Sequence, residues 1–199
     1  MKIIGLCGGS GSGKTTASRY MEKLGAAVID ADRVYRELCV PGSPLMAELT
    51  DAYGDIIVLP DGSLDRKKLA EIVFADERKR AELNAVTHRH IKAETLSRIS
   101  AYEKAGYPAV IVDAPLLFEA EFDRFCDITV GITAPRELRI SRIIARDGIT
   151  QKAAEARIAS QMSDDELRAR CDRIIENNSD AAMFLFYIRQ FYASALHDT

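Results

Sequence analysis

The stretch Gly8-Gly9-Ser10-Gly11-Ser12-Gly13-Lys14-Thr15 constrains this chain more than any other. It fits G-x-x-x-x-G-K-[ST], a phosphate-binding loop. Residues 2–7 before it are short and apolar, as in a buried strand, and residues 15–24 after it read as a helix. Strand, glycine loop and helix are the context that the pattern requires. Glycines let backbone N–H groups turn inward around an anion without Cβ clashes. The helix N-terminus adds partial positive charge. The pattern assigns Gly9, Gly11, Ser12, Gly13, Lys14, Thr15 and Thr16 to a nucleoside triphosphate. Lys14 would reach the β- and γ-phosphates, and the Thr15 hydroxyl would ligate Mg2+. The alternative is a glycine-rich turn that binds nothing; the terminal Lys14-Thr15 argues against it.

Composition sets outer bounds. A chain of 199 residues can bury a full core as one domain with a modest insertion. A net charge of −3 argues against coating nucleic acid. No apolar run approaches the ~20 residues that span a bilayer, and Gly5, Gly8 and Gly9 break the apolar start. The expectation is a cytoplasmic protein with no membrane or nucleic-acid partner, a monomer or weak homo-oligomer. Cys7, Cys39, Cys126 and Cys171 are far apart in sequence, with no C-x-x-C pair, and read as reduced, mostly buried thiols.

After the first helix, with Ala17, Met21 and Leu24 on its inner face and Gly25 as its stop, residues 26–29 read as a second strand. That strand runs into Asp30-Ala31-Asp32. On an extended chain residues two apart point the same way, so both carboxylates are expected to project together toward the loop's end of the sheet. The competing reading is that one or both cap the helix that follows.

Residues 36–105 lose the strand–helix rhythm and carry helical signals instead. Ser43-Pro44 opens a helix with Leu45, Leu49 and Ala52 on one face, and Gly54 ends it. Pro60-Asp61-Gly62 is a turn, Leu69, Ile72 and Val73 form a stripe, and a long helix is expected over 77–104. Within it lie His88 and His90, two apart and so on different faces, which disfavours a shared metal.

Residues 109–113 form an apolar, β-branched third strand ending in Asp113, a weak Walker-B-like candidate for holding Mg2+. Leu116-Leu117-Phe118 could be core or the wall of a pocket. A fourth strand over 127–132 leads into a helix with Arg139, Arg142 and Arg146 on one face and Ile140, Ile143 and Ile144 opposite. Arginine forks suit phosphoryl transfer. A second helix carries Arg157 and Gln161, and Ser163 with Glu166 reads as a capping box, so 136–169 suits a mobile lid. Residues 171–178 give a short fifth strand and turn; Ser179 would cap a long helix with Met183, Phe184, Phe186, Tyr187, Ile188, Phe191 and Tyr192, expected to pack on the sheet.

Taken together these landmarks resemble the dephospho-coenzyme A kinase family. The matching segments are residues 5–15, Asp30-Ala31-Asp32, Leu83-Asn84-Ala85 with His88 and Ile91, and Asp113-Ala114-Pro115-Leu116-Leu117-Phe118-Glu119, the most specific. Arg142, Arg146, Arg157 and Gln161 fit that family's lid, and residues 172–177 its late strand. Arg89, Arg139 and Asn178 depart from the usual proline, glutamine and glycine. The resemblance implies an α/β fold: a P-loop NTPase three-layer sandwich with a parallel five-stranded sheet, a helical substrate-binding insert and a helical lid. It implies a core of 1–35, 106–135 and 170–199, a coenzyme A-binding insert of 36–105, and a lid of 136–169. ATP would be the donor and dephospho-CoA the acceptor, with Mg2+. Asp32 would be the base, with Lys14 and Arg142 also catalytic; Arg146 and Asn177 would hold ATP. His88, Leu116, Leu117, Glu119, Arg157 and Gln161 would face the acceptor, and Thr15 and Asp113 the metal. Another P-loop small-molecule kinase, or a non-catalytic nucleotide switch, are the alternatives. The chain has no Asn-Lys-x-Asp guanine reader.

Overall fold

The structure, a computed structural model, describes residues 1–178 and 180–197. In chain order its elements are β1 (Lys2–Cys7), α1 (Lys14–Lys23), β2 (Ala27–Asp30), α2 (Ala31–Leu38), α3 (Pro44–Tyr53), α4 (Arg66–Ala75), α5 (Glu77–Lys104), β3 (Ala109–Asp113), β4 (Ile128–Thr133), α6 (Arg136–Asp147), α7 (Gln151–Ala159), α8 (Asp164–Arg170), β5 (Arg173–Glu176) and α9 (Ala181–His197). They divide into two compact units, residues 1–29 with 99–199, and residues 30–98.

The first unit is built on a five-stranded sheet in the order β2-β3-β1-β4-β5. β1 lies parallel between β3 and β4, and β4 lies parallel to β5. Period-two alternation sends Ile4 and Leu6 of β1, with Val130 and Ile132 of β4, to one face. There they pack with Ala17 and Met21 of α1 and Phe184 and Ile188 of α9. The other face presents glycine where cover approaches closely. A Cβ on Gly5 would press on Leu117 and Cys126, and one on Gly131 would press on Ile174 and Cys171. The segments that follow β3 and precede β4 and β5 therefore press close on this face, and β1 delivers its following loop to the sheet's carboxyl edge, where the strand order reverses.

α1 closes in a Schellman turn. Gly25, at φ 101°, donates its N–H to Glu22 O, and Ala26 donates to Met21 O. On α9 the buried positions are Phe184, Ile188, Phe191, Tyr192 and Ala195. Met183, Phe186 and Tyr187 are exposed, because a helix on one face of a sheet can bury only one stripe. Ser179 lies outside the described residues; the Asp180 carboxylate accepts from Met183 N at 2.9 Å.

The second unit has its own core: Leu45, Met46, Leu49 and Tyr53 of α3 pack with Ile57, Leu69 and Val73. Ser43 caps α3 by accepting from Met46 N at 3.1 Å. Ala52, expected on the inner face, is exposed, and Tyr53 takes that place. The Tyr53 hydroxyl donates to Lys79 O at 2.7 Å, tying α3 to α5. Glu37 of α2 joins Arg33 and Arg98, both at 2.7 Å, and Arg98 also meets Glu94 at 2.8 Å. Arg33 first, then Arg98, holds the Glu37 carboxyl below its ordinary range.

A further local expectation fails. Asp30 and Asp32 do not share one face of an extended strand. β2 stops at Asp30 and α2 begins at Ala31, so Asp32 sits in the helix's first turn. The cause is capping: Asp30 accepts from Arg33 N at 3.0 Å. Asp32 in that first turn is favoured by the helix dipole.

Candidate active site

The loop between β1 and α1 is shaped by its carbonyls. Arg139 Nε donates to Ser10 O at 3.0 Å, Arg142 Nη1 to Gly11 O at 3.1 Å, and Asn177 Nδ2 to Ser12 O at 2.7 Å. Three consecutive carbonyls are thus tied outward. A trans peptide points each N–H opposite its carbonyl, which turns the Gly11 and Gly13 N–H groups to the other side. Gly13 stands at φ 104° as the N-cap of α1, with no side-chain cap on the helix and no acidic residue in its first turn. The first-turn N–H groups are left to an anion. A Cβ at Gly13 would collide with the Asn177 amide.

β-sheet register supplies the next group. Leu6 of β1 pairs with Asp113 of β3, so Asp113 emerges beside the loop. Its buried carboxylate forms an ion pair with Lys14 Nζ. Thr15 and Thr16 open α1 on its exposed side, whereas Ser12 is wholly buried.

The arginines of α6 separate into different tasks. Arg139 and Arg142 turn to the loop, and Arg142 also donates to Asn177 Oδ1 at 3.3 Å. Arg146 instead meets the Asp147 carboxylate at 2.7 Å, and Arg157 converges on the same carboxylate. Arg146 foremost holds Asp147 down to about 2. Gln161 lies on the turn between α7 and α8. Its Oε1 accepts from Ser10 N at 2.9 Å and its Nε2 donates to Ser10 Oγ at 3.0 Å. The Ser163–Glu166 capping box forms as expected.

A cleft of about 100 Å3 beside the loop is lined by Gly9, Leu116, Glu119, Gln161 and Met162. Leu116 is 47% exposed there. Leu117 is a correction: it is fully buried against the β1 glycine, a core residue and not a pocket wall. Asp32 is exposed on α2 and His88 half-buried on α5, both in the second unit. Beside His88, Arg89 and His90 both pair with Glu48 of α3. The helix therefore continues straight through a position where proline would break its ladder.

Two relationships escaped sequence reasoning. Cys7 and Cys171, far apart in the chain, bring their sulfurs to 3.2 Å. Strand neighbours β1, β4 and β5 carry them there, and spacing gives no hint of it. Asp164 pairs with Arg139 at 3.0 Å, though the sequence marks it only as part of a helix start.

A parallel sheet, an uncapped glycine loop with an invading lysine, an acid on the adjoining strand and arginines from a following helix define a P-loop phosphotransferase. The fold recurs among solved structures. A shikimate kinase from Bacteroides thetaiotaomicron shares the fold, at TM-score 0.55 and 15% identity over 97% of both chains. The dephospho-CoA kinase family model matches residues 2–182, and the chain belongs to that family. It is 45% identical to a dephospho-CoA kinase of Symbiobacterium thermophilum, over 89% of this chain and 74% of the relative. It is 43% identical to one from Geobacter sulfurreducens, over 89% and 90%. A dephospho-CoA kinase structure from Campylobacter jejuni superposes with TM-score 0.73 at 26% identity, covering 98% of this chain and 97% of that one. Its activity is ATP-dependent phosphorylation of dephospho-CoA. Among the described residues no helix is long and apolar enough to cross a membrane.

Proposed function

We propose that the loop holds the triphosphate of Mg·ATP and that Asp32 takes the proton of the ribose 3′-hydroxyl of dephospho-CoA as the γ-phosphoryl is transferred. The observation that carries the donor half is the outward tethering of the Ser10, Gly11 and Ser12 carbonyls above an uncapped helix N-terminus. It leaves fixed N–H donors where charge would gather, at no cost of reorganisation during the reaction. Lys14 leaves Asp113 for the phosphates, and Arg142, already against the loop, offsets charge on the phosphoryl group.

Mg2+ fits the oxygen donors present. The Asp113 carboxylate and Thr15 hydroxyl would hold it with phosphate oxygens and water, as this ion prefers. When bound it would neutralise charge on the β- and γ-oxygens.

Asp32 rests on the Asp30-Ala31-Asp32 match to the family pattern. Its exposure on α2 is compatible with reaching a substrate. The helices of residues 36–105 would bind the acceptor through His88, and Leu116, Glu119 and Arg157 would complete its surroundings, while Gln161, bonded through both amide atoms to Ser10, would serve the donor side instead. Residues 136–169 would act as a lid, with Arg146 and Arg157 exchanging Asp147 for substrate phosphates as it closes. Asn177 supports ATP indirectly, through the Ser12 carbonyl. A monomer or weak homo-oligomer in the cytoplasm suits these small-molecule substrates.

The deciding experiment mixes the full chain with Mg·ATP and dephospho-CoA and resolves ADP and CoA by chromatography, with nucleoside monophosphates as competing acceptors. Stoichiometric CoA and ADP are expected, abolished by chelating Mg2+. Phosphorylation of a nucleoside monophosphate without CoA would reject the reading.

A further inference from the structure

Arg139, which ties the Ser10 carbonyl outward, is a guanidinium only 4% exposed beside the phosphate loop. Burying a charge is costly unless it is paired and hydrogen-bonded. Here the fork is spent on three targets. Nε donates to Ser10 O and Nη1 to Asp164 Oδ1, both at 3.0 Å, and Nη2 donates to Gln161 Oε1 at 3.4 Å.

Ser10 is the focus of that arrangement. Its carbonyl goes to Arg139, and its N–H and hydroxyl go to Gln161. All three polar groups of one loop residue are therefore taken by two side chains that also bond each other. The loop is moulded on the same residue. A Cβ at Gly9 would run into the Arg139 guanidinium, and one at Gly11 would stand 2.7 Å from the Arg139 backbone oxygen. Gly9 thus makes room for the Arg139 side chain itself, and Gly11 for the α6 backbone that carries it.

α6 does not need Arg139 to stay in place. Ile140 and Ile143 anchor it against Ala154 of α7, in a small core of their own. Loss of the guanidinium would untie the loop without unpacking the helix.

We propose that Arg139 is a positioning residue for ATP: it fixes the Ser10 peptide of the loop to Gln161 on the α7–α8 turn and to Asp164 at the start of α8. The inference rests on reading the loop as the triphosphate site. It acts through the loop backbone, so its removal weakens ATP and spares the acceptor. Glutamine has one amide donor that can still reach a carbonyl, and restores part of the effect.

The test uses the full chain with Arg139→Ala, Arg139→Gln, Gln161→Ala and the Arg139→Ala/Gln161→Ala double variant. Binding of a fluorescent ATP analogue is titrated directly, and KM is measured for each substrate. Arg139→Ala is expected to raise the analogue Kd and the ATP KM by about tenfold or more, the loss of a buried charge-assisted bond. The dephospho-CoA KM should stay within about twofold and Arg139→Gln should recover part of the loss. Gln161→Ala should weaken ATP similarly and the double variant should fall short of the product of the two, as coupled neighbours do. Unchanged ATP affinity in Arg139→Ala, equal losses for both substrates, no recovery by glutamine, or fully multiplicative losses would each overturn it. The analogue titration reads the proposal even if dephospho-CoA proves not to be the acceptor; a wild-type protein that binds the analogue but makes no CoA refutes the acceptor assignment alone.

Discussion

Lys14 and Asp113 neutralise one another at the carboxyl edge of two adjacent parallel strands, one from the phosphate loop and the other from the end of β3. On the proposed reading Lys14 would serve the phosphates and Asp113 the metal, and here the two hold each other. Asp113→Asn would release Lys14 and remove the proposed metal ligand at once. It is expected to tighten ATP binding measured without Mg2+, because Lys14 no longer has a competing carboxylate. The Mg2+ concentration giving half-maximal turnover should rise by about tenfold or more, and turnover should fall by ~10²-fold, as when one electrostatic partner of a transition state is lost. Calorimetry with and without Mg2+, beside a Mg2+ titration of initial rates, separates the two effects. Weaker metal-free ATP binding would show that the ion pair organises the loop instead of restraining it.

Asp30 and Asp32 should part company under mutation. Asp30 is a helix cap, so Asp30→Ala should cost about 1 kcal/mol of stability in denaturant titration and leave kcat within about twofold. Asp32→Asn should do the reverse: melting and ATP binding nearly intact, with turnover down ~10²-fold or more, as for a lost general base. Near-normal turnover in Asp32→Asn would remove it from the mechanism.

The contrast between those two acids explains what the sequence could and could not tell. Strong local signals survived. The glycine loop, the 77–104 helix, the strand ending in Asp113 and the Ser163 capping box all appear where the residues announce them. Capping chemistry at Asp30 outweighed the simple continuation of a strand, because one cap bond starts the helix two residues early. Leu117 and Leu116 illustrate a second limit: neighbours of the same type divide between core and cleft according to which side of the chain a tertiary neighbour occupies. The arginine face of α6 was legible as a face, since i, i+3 and i+7 recur on a helix. Which arginine meets the loop and which meets Asp147 depends on α7 and the 161–164 turn, brought in by tertiary packing.

The Cys7–Cys171 contact makes a prediction about reactivity. Either thiol can donate across this contact; with Cys7 as the donor, the bond holds the Cys171 pKa below the ordinary thiol range and pushes that of Cys7 up. Burial pushes Cys126 up to about 12 and raises Cys39. The thiolate is the nucleophile, so a limiting maleimide at pH 8 should label Cys171 first, read by peptide mass spectrometry. Cys7→Ala removes the donor and should slow Cys171 labelling at that pH, even though it opens space. Faster labelling would mean that access, not thiolate content, controls the site.

The last prediction concerns acid stability. Asp172, just ahead of β5, accepts from the Thr129 hydroxyl and the Thr129 N–H, both at 2.7 Å, and so pins the β4–β5 end of the sheet. The Thr129 hydroxyl foremost lowers the Asp172 pKa, against the opposing effect of burial. A folded-state pKa below the unfolded value contributes stability that is complete above the unfolded pKa and is lost as pH falls through the folded one. Asp172→Asn should therefore cost about 1 kcal/mol at neutral pH, a solvent-screened charge-assisted bond, and the gap to wild type should shrink below pH 4. Thr129→Val keeps the N–H bond but loses the hydroxyl, so it should move the acid limb of unfolding to higher pH. Denaturant titrations of the three proteins from pH 3 to pH 7 measure this directly. A gap that stays constant across that range would assign the loss to packing and not to the ionised carboxylate.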